Sequence, residues 1–597
     1  MPSVSHLLEE IKRVYPILEA YSLLNKIVTQ HRVQGSKGLW SAVNLVKEFL
    51  SEQGVGSKVI SIESGEQLDL DRSPVGWDLT YGELVVEEDG RKIVEINTLN
   101  HPTLVAAHSP SGEGRAKLSL ASLEGISEAS GAVLTSDSPY MSYALSGESV
   151  EALIWYDLQK HSDGVPYAGL FLSSMDRVER KPVLTMPGRT ALKIIEGLRR
   201  GQSYIAEWRV EAKYTSSGLP ILESCIGSGE YAVASTAHIC HPRPGAHDNA
   251  SGSAVLAGAA VALDKLVKKY EPLTRICFYW VPEYTGTTAL FLKGLMKREV
   301  VVASLNVDMV ASRQSETGST LHLIRSMLNY SGPLTPVVKL SLESTYLTGR
   351  AFHGRECLGK VRFDEVPYGS GSDHDVFLIN GVESPMLNEW PSKYYHTDLD
   401  EPDAIGLKEF KLCGKTVALS LLLTSTPNVV SGLSSYVRSY YSYLTSWYSM
   451  DSARKGINEG FTLSRVAPLL SNSLTRAVEW IEKRKVSLSN LKSCCMENPV
   501  YIGRSIVNLR PMCLEKGVEF YRLIDALKIW PLVTAYLPAN LNGSLSTKDL
   551  VLQYYAEEVL DPAKIDAKCY GVTGISCLER IVEEVVEWIS EKGFIKK

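Results

Sequence analysis

Three histidines, one cysteine and one aspartate crowd the stretch Thr236-Ala-His-Ile-Cys-His-Pro-Arg-Pro-Gly-Ala-His-Asp-Asn-Ala-Ser-Gly252. Imidazole and carboxylate are the side chains that hold zinc and similar divalent cations. A deprotonated Cys240 would add a softer ligand. Further along stand Glu283, Asp308 and His396, each just past an apolar run: 276–281 before Pro282-Glu283, 301–307 before Asp308, and 384–387 before the segment that leads to His396. One such carboxylate alone reads as a solvated strand end. Five ligand-type positions arriving in this way read as a metal site.

The elements that must position them follow from periodicity. The runs 219–227, 231–237, 276–281 and 301–307 have the length and apolar content of strands. Between them, 253–268 and 288–297 read as helices, the first built of small apolar residues. The runs 321–324 and 384–387 extend the set. Strand–helix alternation predicts an α/β fold, a mixed central sheet with helices on both faces. In such sheets ligands bind outside the carboxyl ends of the strands, where His238, His241, Asp248, Glu283, Asp308 and His396 all fall. Residues 206–214 alternate apolar and polar and read as a half-buried strand opening this region. Asp373 and His374 precede another apolar stretch and read either as a helix cap or as part of the site.

These pieces, in this order, resemble the co-catalytic zinc aminopeptidases, a family that includes the glutamate carboxypeptidase and transferrin-receptor branch. Pro244-Gly-Ala-His-Asp-Asn-Ala-Ser-Gly252 is similar to the family's metal-bridging aspartate motif, and Glu283-Tyr-Thr-Gly286 to its Glu-Glu-x-Gly motif. Asn306-Val-Asp-Met309 resembles the later ligand strand. Gly371-Ser-Asp-His-Asp-Val-Phe377 resembles the Ser-Asp-His loop, and Tyr395-His-Thr-Asp398 the last histidine motif. His31 to Ser36 matches the loop before the first core helix. The resemblance implies two zinc-like ions, about 3.5–4 Å apart and bridged by a carboxylate and a water. Asp248 would bridge, Asp308 would bind one metal and His396 the other, and Glu283 would be the proton-transferring base. Asp373 and His374 would act on substrate or behind the ligands. Two positions depart from the pattern. Tyr284 stands where a second, metal-binding glutamate is expected, so Glu283 is either the base or itself a ligand. The family's His-x-Asp reads His238-Ile-Cys240 here, with His241 next; both histidines stay candidates for the first ligand.

The 597 residues exceed one hydrophobic core. We divide them into an N-terminal helical part of the peptidase (1–67), an inserted β-rich module like the family's protease-associated insert (68–200), the α/β metallopeptidase core (201–428) and a mostly helical C-terminal domain that could end in a winged helix (429–597). The net charge of −6 argues against a broad nucleic-acid face. The first residues do not have the form of a secretory signal, and no run approaches the ~20 apolar residues of a membrane span, so the expected compartment is the cytoplasm. Ten cysteines are too dilute for a disulfide scaffold and read mostly as buried apolar residues, with adjacent Cys494-Cys495 a redox candidate. The aromatic run Tyr436, Tyr440, Tyr441, Tyr443 and Trp447 offers either a homo-oligomer surface or packing against the core. The implied activity is an aminopeptidase acting on peptides. The alternatives are another amide hydrolase or a glutaminyl cyclase on the same core, or a non-catalytic binding homologue.

Overall fold

The computed structural model describes residues 2–596 apart from 174–175, 177–180, 347–348, 351–355, 358–360, 484–497, 567 and 570. Cys494-Cys495 lies outside the described residues. Eight strands form the central sheet: β1 (Lys58–Ile62), β2 (Leu219–Ile226), β3 (Ala232–His238), β4 (Arg275–Val281), β5 (Val301–Val307), β6 (Thr320–Ile324), β7 (Phe363–Val366) and β8 (Met386–Trp390). Their order is β1-β2-β4-β3-β5-β8-β6-β7. The centre, β4-β3-β5-β8, is parallel, whereas β1, β2 and β6 run antiparallel to their inner neighbours.

The side-chain period of two explains why both faces are covered. Along β4, Ile276, Phe278 and Trp280 point into one core. Cys277, Tyr279 and Val281 point into the other. The first core is closed by helices α1 (Lys37–Glu52), α2 (Gly252–Tyr270) and α5 (Leu407–Ser425), the second by α3 (Thr285–Leu292) and α4 (His374–Ile379). Ser36 caps α1 by accepting the Leu39 N–H. Small residues let α2 lie close to its neighbours. The Tyr15 ring fits against Gly258 and Gly414, where an added Cβ would stand 2.6 and 2.3 Å from it. The helical span Ala246–Tyr270 is long and apolar enough to cross a membrane by length and composition, but 89% of its apolar window is buried inside the protein. It is a core helix.

The insert is a separate seven-stranded sheet. Tyr204–Thr215, read from sequence as opening the peptidase sheet, instead pairs antiparallel with Gly76–Glu88 and Gly112–Leu120 of the insert. Alternation identifies a half-buried strand but not the sheet it joins. Its Trp208 lies over Gly114, where a Cβ would come within 2.6 Å of the indole. The first C-terminal helices, Leu433–Lys455 and Glu459–Val478, pack on the peptidase core. Most of the aromatic run is turned inward: Tyr440 and Tyr441 are buried, and Tyr443 remains 46% exposed. Residues from 501 onward share a core with the insert; their main helices are Val518–Leu527, Thr547–Glu557 and Ile575–Glu591, with two-residue β pairs beside them. Four cysteines depart from the buried-apolar reading. Cys225 and Cys277, opposite each other on β2 and β4, form a disulfide, as do Cys569 and Cys577. Cys240, Cys413 and Cys513 are free and buried.

Candidate metal centre

The carboxyl ends of three adjacent strands bring the ligand-type side chains together. On β3, His238 pairs with Val281 of β4, two residues before Glu283. Thr236 pairs with Asn306 of β5, two residues before Asp308. His238 donates from Nδ1 to the Cys240 carbonyl (3.1 Å). That leaves Nε2 facing Asp248 Oδ1 at 3.1 Å and Asp308 Oδ1 at 3.2 Å. His241 donates from Nδ1 to the Pro242 carbonyl (2.6 Å), and its Nε2 faces Asp248 Oδ2 at 3.5 Å. His396 Nε2 lies 3.1 Å from that same oxygen. Two triads result, His238–Asp248–Asp308 and His241–Asp248–His396, and the one shared residue is Asp248. The sequence left His238 and His241 as alternatives; the structure uses both, one in each triad.

A buried scaffold holds the loop. The Arg32 guanidinium donates to the carbonyls of Pro244 (2.8 Å), Gly245 (2.5 Å) and Asp248 (3.4 Å). Its backbone pairs with His241 in both directions. Asp400 accepts the N–H groups of His247 (2.9 Å) and Asp248 (3.0 Å). Gly245, at φ +52°, leaves room for the imidazole, since a Cβ there would sit 2.3 Å from His241 Nδ1. His247 points away from the triads, to Glu389 and Ser392 at 3.2 Å each.

Glu283 is half-buried, and its N–H donates to Cys240 Sγ (3.2 Å). Cys240 is thereby a brace, outside both triads. Tyr284, at φ +57°, also turns away. Its hydroxyl donates to Asp375 (3.2 Å) and its N–H to Asp373 (2.8 Å). Strain at a tyrosine in left-handed backbone beside a candidate base is a frequent mark of a functional turn. Asp373 also accepts the Thr287 hydroxyl (2.6 Å), so it fixes the turn that carries Glu283. His374 is fully buried, donates to the Gly369 carbonyl (2.8 Å) and lies outside both triads. Glu283 opens onto a cavity of about 570 Å³ walled by the core, the insert and the C-terminal domain, Tyr140, Phe171, Arg510 and Trp530 among its residues.

The electrostatics call for positive charge between the ligands. Burial alone would lower the His238 pKa, but Asp308 and Glu283 outweigh it and hold it well above the ordinary value. Burial would raise Asp248, yet the three imidazoles hold it well below the carboxylate range. Glu283 is pushed well above that range by burial first and then by Asp308, Asp373 and Asp248, with His238 opposing. His241 Nε2 is buried with no hydrogen-bond partner among the described residues. With Nδ1 spent on a carbonyl, this nitrogen offers a lone pair to a carboxylate that also offers lone pairs. A divalent cation resolves that conflict, so the donor set fits two cations sharing Asp248.

Sheet topology and the paired triads together make a centre that could hold two cations sharing Asp248. Residues 226–421, about a third of the chain, match the model of peptidase family M28. No curated protein matches the sequence. Among solved structures, the chain is similar to a peptidase M28 precursor from Shewanella amazonensis, with 12% identity, TM-score 0.52 and coverage of 72% of this chain and 98% of that one. It is similar to a zinc aminopeptidase from Bacillus subtilis at 17% identity and TM-score 0.50, over 70% and 97% of the two chains. A peptidase-assigned protein from Clostridium acetobutylicum matches over 99% of this chain and 98% of its own, at 12% identity and TM-score 0.50. At these identities the likeness speaks to fold alone.

The sequence did not reveal Arg32 as the clamp of the ligand loop, nor Tyr167 of the insert, whose ring lies against His241 and His396, nor Lys160, which stands over Tyr395. The His31–Ser36 loop carries no ligand-type pattern of its own beyond its resemblance to the family's loop. The two insert residues sit in no motif and arrive by tertiary approach.

Proposed function

We propose that this chain is a zinc-dependent exopeptidase that removes N-terminal residues from peptides. The observation that carries the reading is Asp248, shared by two buried triads, with Glu283, which feels the charge of Asp248 and Asp308, on the wall of a cavity large enough for part of a peptide. Zinc is favoured by the mixed imidazole and carboxylate donors, and the name of the Bacillus subtilis relative agrees with it. A pair of divalent cations, when bound, supplies Lewis acidity toward the scissile carbonyl and lowers the pKa of a water. The chain's own residues do the rest. Glu283 accepts the proton of the attacking water and returns it to the leaving amine. Cys240 and Asp373 fix the turn on which Glu283 stands. Arg32 and Asp400 hold the loop that presents Asp248.

The test is metal content per chain together with hydrolysis of leucine anilide before chelation, after it, and after metal is restored. The expected result is two zinc-like ions and activity that chelation abolishes and metal restores. A fully loaded protein that hydrolyses only N-blocked substrates would overturn the aminopeptidase reading and favour another amide hydrolase. No hydrolysis of any peptide after loading would overturn the enzyme reading.

A further inference from the structure

We propose that Lys160, carried by the insert, binds the terminal carboxylate of a short peptide substrate. The proposal rests on the peptidase reading above and deepens it by naming a substrate class. It starts from the way the insert grips the His396 loop. Asp398 accepts His101 Nδ1 (2.6 Å) and the Val165 N–H (2.8 Å). The Tyr167 N–H donates to the His396 carbonyl (2.7 Å). Gly164 lies against Thr397, where a Cβ would stand 2.9 Å from its side chain. The insert edge is therefore fixed to the segment that supplies a ligand, and it forms a rim of the metal centre.

Two side chains of that rim face the second triad. The Tyr167 ring lies 4.8 Å from the His241 ring and 4.9 Å from the His396 ring. Lys160 is half-buried, with Nζ 4.2 Å from the centre of the Tyr395 ring. Tyr395 in turn stacks on His396 at 3.8 Å. The ammonium thus stands one stacked ring away from a metal ligand, and its field reaches Asp248 and His396.

Among the described residues, no carboxylate stands within ion-pair reach of this ammonium. Asp157 is the nearby acid whose charge it feels, and Asp157 Oδ1 accepts the Gln159 N–H (2.8 Å). A half-buried cation without a counter-ion is costly unless a ligand supplies one. The His396 side chain on this side keeps 29% of its surface exposed, so the metal centre is open toward Lys160 here. An extended peptide advances about 3.3–3.6 Å per residue, so a carboxylate one or two residues past the scissile bond lies in the range of Lys160. An α-ammonium on this side would be repelled. The substrate's amine therefore faces away from Lys160, and its carboxylate faces toward it. The substrate class is a di- or tripeptide with a free C-terminus.

The experiment is calorimetric titration of the metal-reconstituted full chain carrying Glu283→Gln, with the dipeptide Leu-Gly and with its C-terminal amide. Expected is about tenfold tighter binding of the free acid, the scale of one charge-assisted contact. Adding Lys160→Met should bring the two peptides near parity, whereas Lys160→Arg should keep the preference. Because the readout is a ratio of two ligands on one protein, partial misfolding of a variant does not mimic it. No preference in the Glu283→Gln parent, no binding of either peptide, or a preference that survives Lys160→Met would each overturn the proposal. Binding is read without turnover, so failure of the hydrolysis assay above would count against the peptidase reading and leave the Lys160 result interpretable by itself.

Discussion

Asp248 and Asp375 are both buried aspartates close to the start of a core helix, and they are satisfied in opposite ways. Asp375 accepts the hydroxyls of Tyr368 (2.6 Å), Ser370 (2.7 Å) and Tyr284 (3.2 Å) and the Gly371 N–H (3.1 Å). Four neutral donors complete its lone pairs, the one imidazole nearby (His374 Nε2, 3.4 Å) is committed to the Gly369 carbonyl at 2.8 Å, and Asp375 serves as a knot tying the Glu283 turn to the 368–375 loop. The Asp248 carboxylate instead meets three imidazole nitrogens, and two of those rings have already spent their other nitrogen on a backbone carbonyl. Lone pair facing lone pair is stable only with a cation or a proton between them. Burial and charge alone would not separate these two residues. The kind of partner does.

The largest expected effect is on the Asp248 side. Asp248→Asn removes the one charge common to both triads, so bound metal should fall well below the wild-type content and turnover by at least about a thousandfold. Atomic emission on the purified variant reads the first and a peptide assay the second. Full metal content in this variant would mean that the triads are independent of Asp248, and the contrast with Asp375 would collapse. Next in size is Glu283→Gln. Loss of a positioned base costs about a hundredfold to ten-thousandfold, and metal content should be unchanged because Glu283 belongs to neither triad. A fall in metal together with activity would make Glu283 a ligand.

On the other side of the comparison, Asp375→Asn should leave the metal content intact and lower stability. The amide cannot accept all four donors, and a buried unsatisfied group costs about 1–3 kcal/mol. Denaturant unfolding of the metal-free variant reads this directly. A variant that keeps its stability but loses metal would place Asp375 among the residues that shape the site.

Much of this contrast was legible before the fold. Apolar runs that end in Glu283, Asp308 and the segment before His396 announced strands β4, β5 and β8, and the dense stretch 238–248 announced the ligand loop. What stayed hidden has a common physical origin. Strand β1 is a short edge strand of mixed exposure, with no apolar run to mark it. Strand Tyr204–Thr215 has a clear period, but its sheet depends on Trp208 finding Gly114. His238 and His241 looked like rivals because sequence gives spacing and not the turn at Gly245 that swings both toward Asp248. The position expected to hold a second glutamate illustrates the point most sharply. Tyr284 points to Asp375, and the side chain that completes the second triad is no neighbour in sequence but His241, 43 residues earlier on the loop bonded to the Glu283 turn.

A third buried carboxylate gives the smallest and most finely graded test. Glu558, in the C-terminal domain, has Oε1 buried without a hydrogen-bond partner among the described residues. It has neither the cation site of Asp248 nor the donors of Asp375, so it should keep its proton. Burial first, and then the charge of Glu557, push its pKa up to about 8, against Arg325 and Lys455. An unfolded glutamate titrates near about 4.3. Between those values the folded chain binds more protons than the unfolded one, so this group makes stability fall as pH rises, by at most about 1.4 kcal/mol per pH unit. Below the unfolded value its contribution is flat, and above about pH 8 it is flat again. Glu558→Gln mimics the protonated form and has no such slope. Its melting temperature relative to wild type should therefore climb from pH 5 to pH 8 and then level off. A difference independent of pH would show that Glu558 is ionised in the folded chain, and that an unpartnered buried oxygen is not enough to distinguish the proton-holding carboxylates of this protein from the cation-holding one.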